Sequence, residues 1–197
     1  MSNAPFRLTQ APALDALLDA DHYISFTELI QQVSLFNKPL SLAAIRFMLE
    51  NVMLDDREVQ ALSSFECNNY CRKRLFHNSH CEILILSWLN GQRSKIHDHL
   101  HSACGVKVLL GQATETQFEQ AENGHVYATQ SILYDTAQIS VSQDNDIHQI
   151  SNLQAQNKPL ITLHLYSPPL QQFHLYSLEE SKPILFNAQQ NPWYYEI

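Results

Sequence analysis

Glycine is scarce in this chain, with only 4 among 197 residues. Loops that cradle phosphate groups need closely spaced glycines, and neither a G-x-G-x-x-G pattern nor a Walker pattern occurs. Positive charge is also scarce: 12 lysines and arginines stand against 20 acidic residues, giving a net charge of −8 with no basic stripe. We therefore expect no nucleic-acid partner, because lysine and arginine supply most of the binding to phosphate backbones.

Long apolar runs are missing as well. The longest, at 83–89, is too short to cross a membrane, which takes about 20 residues. The N-terminal residues lack the charged and apolar segments of a signal peptide. The four cysteines, Cys67, Cys71, Cys81 and Cys104, form no Cys-x-x-Cys pair, which argues against a zinc knuckle. We expect a cytoplasmic protein with reduced thiols and no membrane partner.

The first third of the chain, from about residue 10 to 65, has the pattern of short helices. Apolar side chains repeat at three- and four-residue intervals in three segments: 14–18, 26–36 and 42–52. Ser41 is a predicted N-cap, and Asp55 with Glu58 resembles a capping box. Helices this short bury little surface by themselves, so we expect them to pack on the rest of the chain.

From about residue 69 to 190 the pattern is that of β-strands. Short runs rich in Ile, Val, Leu, Tyr and Thr alternate with polar turns, which is typical of an antiparallel sandwich or barrel. The predicted strands are 70–76, 81–89, 95–99, 103–110, 113–119, 125–134, 137–142, 147–151, 160–167 and 171–176. We expect a single domain over 1–197, with the aromatic tail at 191–195 packed on the barrel.

Histidines cluster in this second part, beginning with His97-Asp98-His99. Side chains alternate between the two faces of a strand, so His97 and His99 point to one side and Asp98 to the other. Two imidazoles on one face, about 7 Å apart along the strand, can converge on one metal ion.

The wider spacing, Gly91-x5-His97-x-His99-x4-Cys104-x6-Gly111, resembles the first motif of the cupin superfamily, with Cys104 where that motif has glutamate. His148, followed by Asn152, resembles the second motif. Gln143 and Asn145 replace the proline and glycine that usually precede this histidine. The resemblance implies a mainly β fold, the cupin double-stranded β-helix or jelly-roll barrel, with the helical N-terminal segment packed on it.

The same resemblance implies that His97, His99 and His148 bind one metal ion. Three neutral imidazoles leave half of an octahedral site open. Without the glutamate, the site keeps the full positive charge of the ion, which favours an anionic thiolate and oxygen. For any single histidine a role as a surface or core residue is the favoured interpretation, and His101, His125 and His174 are interpreted in that way.

Further motifs resemble the cysteine dioxygenase (type I) family of cupin thiol dioxygenases, and the resemblance extends over most of the chain, from about residue 10 to 190. They comprise Tyr70-Cys71-Arg72, Ser87-Trp88, the stretch from Ile96 through Ser102, Cys104 and Lys107 to Gly111, and Thr162-Leu-His164-Leu-Tyr166-Ser-Pro-Pro. The family implies that Arg72 binds the substrate carboxylate and that Tyr70 supports that pocket, since a guanidinium offers two parallel donors. The alternative for Arg72 is a solvated charge beside Lys73 and Arg74.

Thr162, His164 and Tyr166 alternate and therefore share one strand face. The family implies a hydrogen-bond relay in which His164 orients the Tyr166 hydroxyl toward the substrate. Threonine stands where family members usually have serine and keeps the hydroxyl group. The alternative is that Tyr166 is an ordinary half-buried tyrosine of the barrel.

Cys104 matches the cysteine that forms a thioether with the active-site tyrosine in animal-type members, whereas a buried free thiol is the alternative. Cys104 lies an odd number of residues after His99, so reaching Tyr166 requires a bend within 100–103. The family also implies a cis peptide bond between Ser167 and Pro168.

The resemblance implies a monomeric non-haem iron enzyme, with Fe²⁺ as cofactor, that uses O2 to convert L-cysteine into L-cysteine sulfinate. Two alternatives stay open. One is a dioxygenase for another small thiol such as 3-mercaptopropionate, whose enzymes typically carry glutamine at the position of Arg72. The other is a non-catalytic metal-binding cupin, which the three histidines alone are unable to exclude.

Overall fold

The computed structural model describes residues 23–143 and 146–190. Three helices lie at the start of this part: α1 (Phe26–Ser34), α2 (Leu42–Asn51) and α3 (Asp56–Leu62). None of the helices in these residues is long and apolar enough to span a membrane. The predicted helical residues at 14–18 and the aromatic tail at 191–195 lie outside the described residues.

Local side-chain hydrogen bonds determine where each helix begins. The Ser41 hydroxyl accepts a hydrogen bond from the Ala44 amide at the start of α2. Asp55 and Glu58 form a reciprocal capping box at the start of α3. Both caps satisfy amide groups that have no partner inside the helix, and both predictions are confirmed.

Antiparallel strands make up most of the remaining chain. Two short strands among the helices, β1 (Ile24–Ser25) and β2 (Val52–Met53), are the exception and pair in parallel. The others are β3 (Cys71–His77), β4 (Glu82–Trp88), β5 (Ile96–His97), β6 (Ala103–Leu110), β7 (Gln112–Gln120), β8 (Val126–Asp135), β9 (Ile139–Ser142), β10 (Ile147–Ser151), β11 (Leu160–Ser167), β12 (Gln172–Tyr176) and β13 (Ile184–Asn187). They form a five-stranded sheet in the order β3-β4-β11-β6-β9 and a six-stranded sheet in the order β13-β12-β5-β10-β7-β8.

The five-stranded sheet is buried on both faces. On one face Ile83, Leu163 and Leu165 pack against the apolar sides of α1 and α2. On the other face Leu84 and Trp88 pack with residues of the six-stranded sheet. Double burial explains why β4 is almost continuously apolar in sequence, whereas β11 alternates apolar residues with the polar side chains Thr162, His164 and Tyr166.

A glycine in β6 lets helix α2 come close to this sheet. A Cβ atom at Gly105 would lie 2.5 Å from Ile45 Cγ2 and 2.5 Å from Leu49 Cδ1, both on α2. A larger residue therefore fits here only if the Ile45 and Leu49 side chains or the helix itself move. The neighbouring residue, Cys104, faces the space between the sheets.

The structure confirms the expected fold class: mainly β, a cupin double-stranded β-helix with helices packed on it. The strand that carries the first two histidines is shorter than expected, since only Ile96–His97 is extended and His99 lies after it. Its neighbours β10 and β12 pair with it over one and two residues respectively. The last strand, β13, was not expected from the sequence.

Candidate metal centre

Three histidines from two separate parts of the chain meet between the two sheets. His97 on β5 lies directly opposite His148 on β10, and His99 follows two residues later. Their ligand nitrogen atoms all lie within 4.8 Å of one another. The Nε2 atoms of His99 and His148 are 3.2 Å apart.

Each ring turns its Nδ1 atom away from the place where the three ligand nitrogens meet. Nδ1 of His97 donates to the Lys95 carbonyl at 2.9 Å, and Nδ1 of His148 lies 2.6 Å from a Glu115 carboxylate oxygen. Nδ1 of His99 lies 3.3 Å from the Ser142 hydroxyl. Acceptors at Nδ1 select the tautomer that leaves Nε2 without a proton.

This arrangement fits a metal ion. Two imidazole nitrogens at right angles, each about 2.1 Å from one ion, are about 3.0 Å apart, close to the distance between His99 and His148. Burial, followed by the charge of His148, lowers the pKa of His97 to about 3 and lowers the pKa of His99 in the same way. Both rings are therefore neutral near pH 7, as metal coordination requires.

Glu115 is a site residue that the sequence analysis missed. It lies on β7 and is almost completely buried. Besides its contact with His148, it accepts a hydrogen bond from the Ser140 hydroxyl at 2.8 Å. Burial raises its pKa, but the hydrogen bonds and charge of His148 and the Ser140 hydroxyl outweigh burial, so the pKa lies below its ordinary value. The available signal was a charged side chain on the inward face of a predicted strand.

Asp98 points away from the metal side, as the alternation of the strand predicts. Its carboxylate accepts hydrogen bonds from the backbone amide of His174 at 2.7 Å and from His174 Nδ1 at 2.7 Å. The Tyr176 hydroxyl donates a third at 3.0 Å. Asp98 thereby ties strand β12 to the segment that carries two of the three histidines.

A cavity of about 540 Å³ opens beside the histidines, lined among others by Tyr70, Arg72, His164 and Tyr166. Arg72 is buried, hydrogen-bonds with Tyr70 and lies 5.8 Å from the centre of the Tyr166 ring. The Tyr70 ring stacks on Trp88 at 4.1 Å. The alternative of a solvated Arg72 is therefore wrong.

A chain of hydrogen bonds ends at Tyr166. The Trp88 indole donates to Thr162 Oγ1 at 3.0 Å, Thr162 Oγ1 lies 2.9 Å from His164 Nε2, and His164 Nδ1 lies 3.2 Å from the Tyr166 hydroxyl. The indole N–H only donates, so Thr162 Oγ1 accepts this hydrogen bond. The hydroxyl proton of Thr162 is then free to be donated to His164 Nε2. His164 then donates from Nδ1 to the Tyr166 oxygen.

Cys104 lies directly opposite Tyr166 in the pairing of β6 with β11. Its buried thiol hydrogen-bonds with the Tyr166 side chain, and burial raises the pKa of that thiol. The bend expected after His99 is present, with positive φ angles of 21° at Leu100 and 68° at His101. The predicted cis peptide bond between Ser167 and Pro168 is confirmed.

The profile of the family described as "Cysteine dioxygenase type I" matches residues 20–179. The chain belongs to this family. Among curated relatives, cysteine dioxygenase type 1 of Danio rerio is 28% identical over 137 residues, covering 67% of this chain and 68% of that protein. The protein of the same name from Rattus norvegicus is 29% identical over 161 residues, covering 71% and 80%.

A solved structure from Klebsiella pneumoniae, described as an uncharacterized conserved protein with a double-stranded beta-helix domain, is 15% identical. The alignment covers 64% of this chain and 96% of that chain, with a TM-score of 0.49. Membership of the cysteine dioxygenase family supports a thiol dioxygenase with a metal site, and the three-histidine cluster is present in the structure.

Replacing any one of His97, His99 and His148 with alanine should abolish stoichiometric metal binding, because only two of the three imidazole ligands then remain. Metal content after loading and desalting measures this directly. His77→Ala, at an exposed position on β3, is the control and should bind metal fully. Full metal content in any of the three cluster variants would contradict the assignment.

Proposed function

We propose that this chain is a non-haem iron dioxygenase that converts L-cysteine and O2 into L-cysteine sulfinate. The observation that supports this most strongly is the shared cavity: Arg72 and Tyr166 open into the same space as the histidine cluster. A storage or sensor protein has no need of a buried carboxylate-binding cation beside a hydrogen-bonding tyrosine. The shared cavity therefore favours catalysis over simple metal binding.

Non-haem iron(II) oxygenases commonly use two histidines and one carboxylate with open positions, and this cluster has a third histidine in place of the carboxylate. His97, His99 and His148 would hold the ion through Nε2. Iron(II) held there would bind the substrate thiolate and activate O2 for reaction with the sulfur. No acidic side chain joins the cluster among residues 23–143 and 146–190, so an anionic thiolate would not meet a competing ligand charge.

Arg72 would bind the substrate carboxylate. Its guanidinium is buried beside Tyr70, and the stack of Tyr70 on Trp88 restricts the position of that tyrosine. A charge-assisted, two-pronged contact in a site shielded from water is strong and selects for a planar carboxylate. Because Arg72 lines the same cavity as His97 and His148, binding the carboxylate would orient the rest of a small amino acid toward the histidines and lower the entropic cost of reaction.

Tyr166 would hold a proton at its hydroxyl, directed at the bound substrate. The relay from Trp88 through Thr162 and His164 keeps this proton available in the cavity. Burial, followed by the charge of Arg72, lowers the pKa of His164 well below its ordinary value. A neutral His164 is able to donate from Nδ1 and accept at Nε2 at the same time, as the relay requires.

The overall reaction balances without another reductant. The thiol loses its proton on binding, and both atoms of O2 become bonded to the sulfur. The sulfur loses four electrons and the two oxygen atoms gain four, so one O2 is consumed for each sulfinate formed.

Oxygen uptake by the iron-loaded protein tests the proposal. We expect uptake with L-cysteine, in equal amounts to the cysteine sulfinate formed, and much slower uptake with 3-mercaptopropionate and cysteamine. Faster uptake with 3-mercaptopropionate would assign the enzyme to that thiol instead. No uptake with any thiol, despite full iron content, would identify a non-catalytic metal-binding cupin.

Arg72→Gln should lower kcat/KM for L-cysteine by about 30- to 1,000-fold, since losing a buried charge-assisted contact costs about 2 to 4 kcal/mol. Kinetics with both thiols should show a smaller loss with 3-mercaptopropionate. Arg74→Gln, two residues along the same strand and exposed, is the matched control. Losses of equal size on both thiols would argue against a clamp that selects cysteine.

Aerobic turnover should join Cys104 to the Tyr166 ring through a thioether. The sulfur replaces a ring hydrogen, so the pair loses two hydrogen atoms, that is two protons and two electrons, which O2 accepts to become hydrogen peroxide. Intact mass should fall by two hydrogen atoms in the wild-type protein and in Cys81→Ser, whose thiol lies elsewhere in the core. Cys104→Ser should show no fall, and an unchanged wild-type mass after many turnovers would contradict the prediction.

A further inference from the structure

We propose that Glu115 is a positioning residue that gives the metal site, through His148, the negative charge that its three neutral ligands lack. The inference rests on the metal site of the proposed function and not on its substrate. A protein that binds metal as described here but oxidises no thiol would refute the function and leave this inference intact.

The contact between Glu115 and His148 is short and protected from water. Nδ1 of His148 lies 2.6 Å from Oε1 of Glu115. The Glu115 side chain is only 2% exposed and the His148 side chain only 4%. A carboxylate is purely an acceptor, so the proton of this bond belongs to His148 Nδ1. The Nε2 atom of His148 is then left bare and faces His99.

The partners of Glu115 indicate that it is ionised. Ser140 donates to its second oxygen, Oε2, at 2.8 Å. His148 Nδ1 lies against the other carboxylate oxygen. One donor at each oxygen stabilises the charged form of a carboxyl group. Glu115 therefore contributes a full negative charge within one imidazole ring of the metal position.

The backbone fixes Glu115 in this place. On β7 it pairs with Ile150 of β10 on one side and with Ile132 of β8 on the other. His148 lies two residues from Ile150, so Glu115 is its diagonal neighbour on the same face of the sheet. Ser140 belongs to β9 of the opposite sheet, and its bond to Glu115 bridges the two layers.

The three rings differ in what their Nδ1 atoms meet. His97 has the neutral Lys95 carbonyl and His99 has the Ser142 hydroxyl, whereas His148 has a charged carboxylate. A carboxylate behind an imidazole raises its basicity and strengthens it as a metal ligand. His148 is therefore the strongest donor of the three, and the charge of Glu115 stabilises the more highly charged iron(III) over iron(II).

The decisive comparison is Glu115→Gln against the wild-type protein. Glutamine keeps the shape and an accepting oxygen for His148 but removes the charge. We expect the Kd for Co²⁺, measured without any thiol, to rise by about 10- to 100-fold. The iron(III)/iron(II) reduction potential should rise as well. Glu119→Gln, the same change at an exposed position on the same strand, should alter neither quantity.

A purely structural role would lower the thermal stability of the metal-free Glu115→Gln protein while leaving the reduction potential unchanged, and that result would overturn the proposal. An unchanged Co²⁺ affinity would overturn it too. If this variant does not fold, NMR of the zinc-loaded wild-type protein decides. The Nδ1 proton of His148 should then resonate downfield of those of His97 and His99, and an upfield position would refute the inference.

Discussion

Three imidazole rings have to turn unprotonated nitrogens toward one point in a place that water scarcely reaches. The rest of the structure depends on meeting this requirement, since a bare nitrogen is held in place only if the opposite nitrogen of the same ring has an acceptor. The acceptors come from three different segments: the Lys95 carbonyl, the Ser142 hydroxyl and the Glu115 carboxylate. The two sheets must therefore be correctly paired before the cluster exists.

The burial of both faces of the five-stranded sheet also helps to hold polar side chains between the sheets. Strand β11 sends Leu163 and Leu165 into the helical layer and Thr162, His164 and Tyr166 into the space between the sheets. The apolar contacts supply the burial that offsets the cost of placing polar side chains on the other face. Every polar side chain of the relay has a partner, which is the condition for a buried polar network to be tolerated.

How much the sequence predicts depends on the separation of the residues involved. The shared orientation of His97 and His99 follows from local alternation, and the helix caps follow from three-residue patterns. The roles of Arg72 and Cys104 came from the family resemblance, and the structure adds their burial. Glu115 contacts a residue 33 positions away, and Asp98 contacts His174 at a separation of 76. Such pairs depend on strand order and register, which the hydrophobic pattern of one sequence does not determine.

The missing side chain at Gly105 has an effect beyond helix packing. Ile45 and Leu49 pack against strand β6 at Gly105 on its helical side. The side chain of the adjacent residue, Cys104, points to the opposite side, between the sheets. The depth to which the thiol reaches toward the Tyr166 ring is therefore set from outside the cavity, by how closely a helix settles onto the sheet. Substitutions that shift α2 against the sheet should therefore disturb the position of the Cys104 thiol, although no residue of α2 is among those that line the cavity.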